Sequence, residues 1–145
     1  MFAAVDARVK APFLIVETGQ PVRSMRRYGG FPHWIRVAAG LEAGETVVAN
    51  VEQGDALPGR EGFAGVIVSG SAAMVTDRAD WSERSAEWLR EAAHEGLPLL
   101  GICYGHQLLA HALGGEVAYN PAGRESGTVH IDLHPPAQDD PLFSA

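Results

Sequence analysis

"LPLLGICYGHQLLAHALGG", Leu97–Gly115, holds the only cysteine of the 145-residue chain and changes its periodicity half-way along. Its first six residues form a short, continuous apolar run, the pattern of a strand buried on both faces. From Gly105 to Leu113 the apolar residues recur at helical spacing, and Gly114 and Gly115 end the pattern. Cys103 sits at the junction, with Gly101 two residues before it and Gly105 two after. This is the sulfur form of the G-x-S-x-G turn, in which glycines relieve crowding around a residue whose side chain must stand clear of the backbone. A thiol placed there meets the positive end of the helix macrodipole, which favours the nucleophilic thiolate. The N–H of Tyr104 is free to donate to an oxyanion on an attacked carbonyl.

The same alternation extends outward from that turn. "PFLIVE" (Pro12–Glu17) reads as a buried strand closed by a long loop, within which Phe31, Trp34, Ile35, Ala38 and Leu41 share a helical face that Gly40 ends. "TVVANVE" (Thr46–Glu52) and "FAGVIVSG" (Phe63–Gly70) are further strands. A helix follows, with Asp80 as its expected cap, Glu83 three residues on, and Trp81, Ser85, Trp88, Leu89, Ala92 and Ala93 on one face until Gly96. "EVAY" (Glu116–Tyr119) and "TVHIDL" (Thr128–Leu133) predict two shorter strands around the turn "NPAGRESG". Apolar strands alternating with amphipathic helices predict a single α/β domain: a flavodoxin-like, doubly wound, mostly parallel sheet with helices on both faces. Ligands of such folds sit beyond the carboxyl ends of the strands, where "VIVSGSAA" and "LLGICYGHQ" both end.

Composition narrows the class. One cysteine closes no internal bridge, which fits a reducing compartment. A net charge of −7 and the lack of any basic, aromatic-interleaved face argue against nucleic acid as a partner. The N-terminus "MFAAVDARVKAPFLIVE" lacks the order of a signal peptide, and no segment approaches the ~20 apolar residues that span a bilayer. The expectation is a soluble, cytoplasmic protein with no membrane partner.

"GICYGHQLLAHALGGEV" resembles the nucleophile segment of class I glutamine amidotransferases, G-x-C-x-G-x-Q followed by an apolar helix and a Gly-Gly stop. "GVIVSGSAAMVTD" resembles that family's oxyanion strand, which ordinarily ends in S-G-G-P. "ETGQPVRSMRRYGGFPHWI" resembles the N-terminal segment of the branch similar to the glutaminase domain of GMP synthase. The resemblance implies that Cys103 attacks the side-chain amide of glutamine, releasing ammonia and leaving a γ-glutamyl thioester that water hydrolyses. It implies an oxyanion hole made by the N–H groups of Ser71 and Tyr104, and a substrate seat formed by Gly70 and Gln107. It calls for no cofactor and no metal, and its partners are glutamine and an ammonia-accepting synthase on another chain. Ser71 and Ala72 replace the family's second glycine and proline, and a peptide that needs positive φ there is costlier without glycine.

The family's base is a histidine oriented by a glutamate in an H-P-E motif, and this sequence contains none. "HPP" at His134–Pro136 comes too early and is followed by no acid. Residues 1–145 are therefore expected to form a class I amidotransferase-like domain incomplete at its C-terminus and lacking the catalytic His and Glu. Of the six histidines, His33 and His94 are expected in solvent, His106 along the nucleophile helix, and His111 in helix packing. His130, Asp132 and His134 share one face of the expected strand, a weak H-x-D-x-H pattern. Trp34, Trp81 and Trp88 are expected in the core, and Arg23, Arg26 and Arg27 in a solvated loop. Two alternatives stay open. One is a cysteine hydrolase of the DJ-1/PfpI or dienelactone hydrolase type, against which Gln107 and "SGS" count, and the other a non-catalytic glutamine-binding or interaction module of the same fold.

Overall fold

The computed structural model describes residues 10–143. Four strands, β1 (Phe13–Glu17), β2 (Thr46–Asn50), β3 (Gly65–Val68) and β4 (Leu99–Gly101), make one parallel sheet in the order β2-β1-β3-β4. Helix α1 (Phe31–Ala39) lies between β1 and β2, α2 (Asp80–His94) between β3 and β4, and α3 (Tyr104–Ala112) follows β4. All pairings are parallel, so the carboxyl ends of β3 and β4 lie on one edge, as the apolar runs predict. Gly40 takes φ 65° at the end of α1, a left-handed cap that only glycine adopts without cost.

The two faces of the sheet are unequally covered. Leu14, Val16, Val66 and Val68 point to one side, where Ala86 and Leu89 of α2 and Tyr104 and Leu108 of α3 close over them. Side chains of this kind contribute roughly 1.5–3 kcal/mol each when fully buried, so this face carries most of the stability. Ile15 and Ile67 point to the other side, where, among the described residues, Ile35 of α1 and the half-buried Leu100 join them. Trp81 and Trp88 pack against the larger core as expected, whereas Trp34 stands half-buried on the thinner side. No helix among the described residues is long and apolar enough to cross a membrane.

Three expectations are corrected. "EVAY" and "TVHIDL" form no strands: a strand exists by pairing, and these segments meet no sheet edge, with Val129, Ile131 and Leu133 each more than half exposed. The exposed His130 and Asp132 only approach each other, at 3.5 Å. Asp80 is not the cap of α2 but its first helical residue; Ala79 holds the cap position, with no side-chain bond. Arg78, in a left-handed conformation at φ 52°, ends the preceding 3-10 turn (Val75–Asp77) and so starts the helix one residue early. Glu83 turns instead to His111, which is a polar tie and not simple packing: its Nε2 lies 3.1 Å from the Glu83 carboxylate and 3.1 Å from the Arg78 guanidinium.

Helices α2 and α3 are also joined inside the core by a 2.6 Å hydrogen bond between the buried Ser82 and Tyr104 hydroxyls. Burial raises the Tyr104 pKa above the ordinary phenol value, against the opposing Ser82 bond, so the hydroxyl stays neutral. Tyr104→Phe strands the Ser82 hydroxyl without a partner and is expected to cost about 1–3 kcal/mol in chemical denaturation. Adding Ser82→Ala should recover part of that loss, because no buried polar group is then left unpaired.

Candidate active site

The described features converge on the carboxyl edge of β3 and β4. Cys103 caps α3 with φ 54° and ψ −108°, a conformation unfavourable for any residue with a Cβ. Its thiol is free and exposed. The flanking glycines are required by contact. A Cβ on Gly105 would lie 2.4 Å from the Val68 carbonyl oxygen, and one on Gly101 2.4 Å from the His106 nitrogen. With no side chain in the way, the Gly105 N–H reaches the Ser69 carbonyl at 3.1 Å, and the Ile102 N–H reaches that of Val68 at 2.9 Å. The Cys103 turn is thereby stitched to the tip of β3.

That tip carries Gly70 and Ser71. A Cβ built on Gly70 would lie 3.6 Å from that of Cys103, so these segments face each other across a van der Waals gap. Cys103, Ser69, Gly70 and Ser71 line a cleft of about 620 Å³ whose other walls are apolar: Phe31 and Trp34 of α1, Ile67 and Leu100 of the sheet, and Ile102 just after β4. Neither a charged side chain nor a histidine lines it among the described residues. Within those residues the backbone N–H groups of Ser71 and Tyr104 make no hydrogen bond. Ser71 does not have positive φ, so the cost foreseen for a non-glycine residue there does not arise. Its hydroxyl accepts the Ala73 N–H at 3.0 Å and shapes the loop that follows.

The remaining candidates lie further off. Gln107 is half-buried on α3 and donates its backbone N–H to the Cys103 carbonyl at 3.2 Å, but does not line the cleft. His33, His94 and His106 are exposed. Arg23, Arg26 and Arg27 occupy an exposed loop, with the Arg26 Nε bonded to the Pro21 carbonyl. Of the wall residues, Trp34 reads as core and Phe31 as part of the same helical face in the sequence; nothing local separates a cleft wall from a buried face.

A family model described as glutamine amidotransferase class-I matches residues 29–143. The chain belongs to the class-I glutamine amidotransferase family. It is 43% identical over 79 residues to the glutamine-hydrolysing GMP synthase of Zymomonas mobilis, covering 54% of this chain and 14% of that protein. The GMP synthase of Aeropyrum pernix is 47% identical over 80 residues, again covering 14% of its length. A putative glutamine amidotransferase of Saccharomyces cerevisiae is 34% identical over 90 residues, 35% of its length. The solved glutamine amido transferase from Methylobacillus flagellatus shares the fold, with a TM-score of 0.61 at 23% identity over 78% of this chain and 43% of that one. The chain therefore spans well under half the length of these relatives.

Two outcomes follow from the edge geometry. Cys103→Gly is expected to be more stable than Cys103→Ala by about 1 kcal/mol in denaturant unfolding, since alanine keeps the backbone strain that glycine relieves. Glu17, at the end of β1, accepts an Asn50 amide hydrogen at 2.9 Å. Burial, then the charges of Glu52 and Asp55, hold its pKa above the usual carboxylate value against that bond. The folded protein thus binds this proton more tightly than the unfolded chain, and stability falls as pH rises from the ordinary value through the raised one. Glu17→Gln should therefore melt slightly higher than the wild type at neutral pH, the gap closing in acid.

Proposed function

We propose that this chain carries the nucleophile half of a glutaminase, hydrolysing the glutamine side-chain amide through a γ-glutamyl thioester and releasing ammonia for an acceptor. The observation that carries the reading is the exposed Cys103 thiol on its strained turn, facing Gly70 and Ser71 beside two unbonded N–H groups. In this reading the Cys103 sulfur attacks the carboxamide carbon, and the charge that develops on its oxygen is met by the N–H groups of Ser71 and Tyr104. Collapse of the tetrahedral species expels ammonia, and water then releases glutamate. Gly70 leaves room for the carboxamide, and Gln107, which stands outside the cleft, acts on the substrate only indirectly, through its N–H bond to the Cys103 carbonyl. The apolar cleft offers nothing to the charged α-amino and α-carboxylate end of glutamine, so that end lies toward solvent.

Proton delivery to ammonia and activation of water both need a base. With no histidine lining the cleft among the described residues, we assign that role, and the acid that orients it, to residues outside 1–145. The acceptor is a synthase domain, on another polypeptide or on more of this one. The test compares the 145-residue chain with a version extended through any H-P-E motif downstream in its gene. Both should be labelled stoichiometrically at Cys103 by a glutamine-mimicking diazoketone, and only the longer should release glutamate at enzymatic rates. The short chain should keep at most the residual ~10³ to 10⁴-fold over water that triad enzymes retain without a member. Absence of labelling in a folded protein overturns the glutaminase reading; equal turnover by the two would place the base within residues 1–145.

A further inference from the structure

Immediately behind the Cys103 site, two fully buried hydroxyls hold two successive peptides. Thr18, which follows β1, and Ser69, which follows β3, are each 0% exposed. The Thr18 N–H donates to Ser69 Oγ at 3.0 Å, and Thr18 Oγ1 donates to the Ser69 carbonyl at 2.9 Å. Ser69 Oγ in turn donates to the Gly70 carbonyl at 3.1 Å, with Thr18 Oγ1 also within 3.2 Å of that oxygen. A core position ordinarily takes an apolar residue, because a buried hydroxyl costs free energy unless it is bonded. Here both hydroxyls are spent on two successive backbone carbonyls, Ser69 and Gly70, directly before the Ser71 N–H.

The consequence follows from peptide geometry. In a trans peptide the C=O and the next N–H point in opposite directions, and no cis bond occurs among the described residues. Holding the Gly70 oxygen back toward Thr18 and Ser69 therefore turns the Ser71 N–H away from them and toward the cleft. Gly70, having no Cβ, frees one of the two torsions about which that peptide could flip, leaving Ser71 and the buried hydroxyls to oppose a flip that would put a carbonyl oxygen where an oxyanion has to sit. We propose that Thr18, acting through Ser69, is a positioning residue that holds the Gly70–Ser71 peptide with its N–H facing Cys103 before any substrate arrives. The proposal rests on the acyl-transfer reading of Cys103.

Two reagents separate this role from general stability. Iodoacetamide alkylates Cys103 by displacing iodide and develops no oxyanion. p-Nitrophenyl acetate acylates it: the sulfur bonds to the carbonyl carbon through an oxyanion, p-nitrophenolate leaves, the thiol proton passes to solvent, and an acetyl thioester remains. Both rates are to be measured on the folded 145-residue chain for the wild type, Thr18→Val, Ser69→Ala and Thr18→Ser. Thr18→Val and Ser69→Ala are expected to slow acylation by about tenfold to a hundredfold, short of the 10²- to 10³-fold typical of deleting a donor outright. Alkylation should stay within about twofold, and Thr18→Ser, which keeps the hydroxyl, should restore acylation. If Thr18→Val does not fold, Ser69→Ala against Thr18→Ser decides. Equal effects on the two reactions, or none on acylation, overturn the proposal. A wild-type Cys103 that is alkylated but acylated no faster than free cysteine overturns the underlying acyl-transfer reading instead.

Discussion

The approach of α3 to the tip of β3 is the contact on which the site depends. Gly105 packs so closely that its own N–H bonds the Ser69 carbonyl, and a Cβ there would collide with the Val68 oxygen. Two elements over thirty residues apart in sequence are thereby fixed within a hydrogen bond of each other. The thiol rides on one and the Gly70–Ser71 peptide on the other. Any side chain at 105 would push α3 outward and open the gap between them, well before it disturbed the outlying core. The strain at Cys103 belongs to the same geometry: a chain that leaves β4 and turns at once into a helix this close to the sheet passes through an unfavourable φ,ψ at the turn.

The sheet supports that contact from one side only. The face under α2 and α3 is a dense core tied by the Ser82–Tyr104 bond, and it anchors both ends of the nucleophile helix. Among the described residues the opposite face is covered by α1, and the part left open is the cleft. Rigidity and access are thus divided between the faces: the elements that must not move rest on the packed side, and the space that a substrate needs opens on the other. Among the described residues the cleft's polar groups lie at its carboxyl rim, so its apolar walls contribute shape and water exclusion.

Much of this was legible in the sequence because the signals were local. A continuous apolar run between turn residues specifies a parallel strand, and "LLGICYG" joins such a run to a helix at a point where only glycine fits. What escaped was set by partners distant in the chain. Thr18 reads as the first residue of a loop; its use comes entirely from Ser69, 51 positions away. The alternation in "TVHIDL" is that of an amphipathic strand, but alternation without an edge to pair with leaves an exposed segment. Asp80 and Glu83 have the spacing of a capping box, yet the left-handed Arg78 moves the helix start and His111 draws Glu83 away.

In the proposed reading the acyl-forming groups are separate from the base, and that separation has a chemical consequence. The thiol, the two N–H donors and the hydroxyls behind them all lie on backbone segments that β1, β3, β4 and α3 position among themselves. Their part of the reaction, making a tetrahedral oxyanion, requires no proton to be held at a defined side chain. Breaking the thioester does, since water is too weak a nucleophile until a base takes its proton. Expelling ammonia from that oxyanion needs a proton as well, so these groups without a base would stall at the tetrahedral species, ahead of the thioester. In the proposed reading, ammonia release and glutamate release therefore both answer to whatever supplies the base, and the backbone groups set only how readily the carboxamide carbon is attacked.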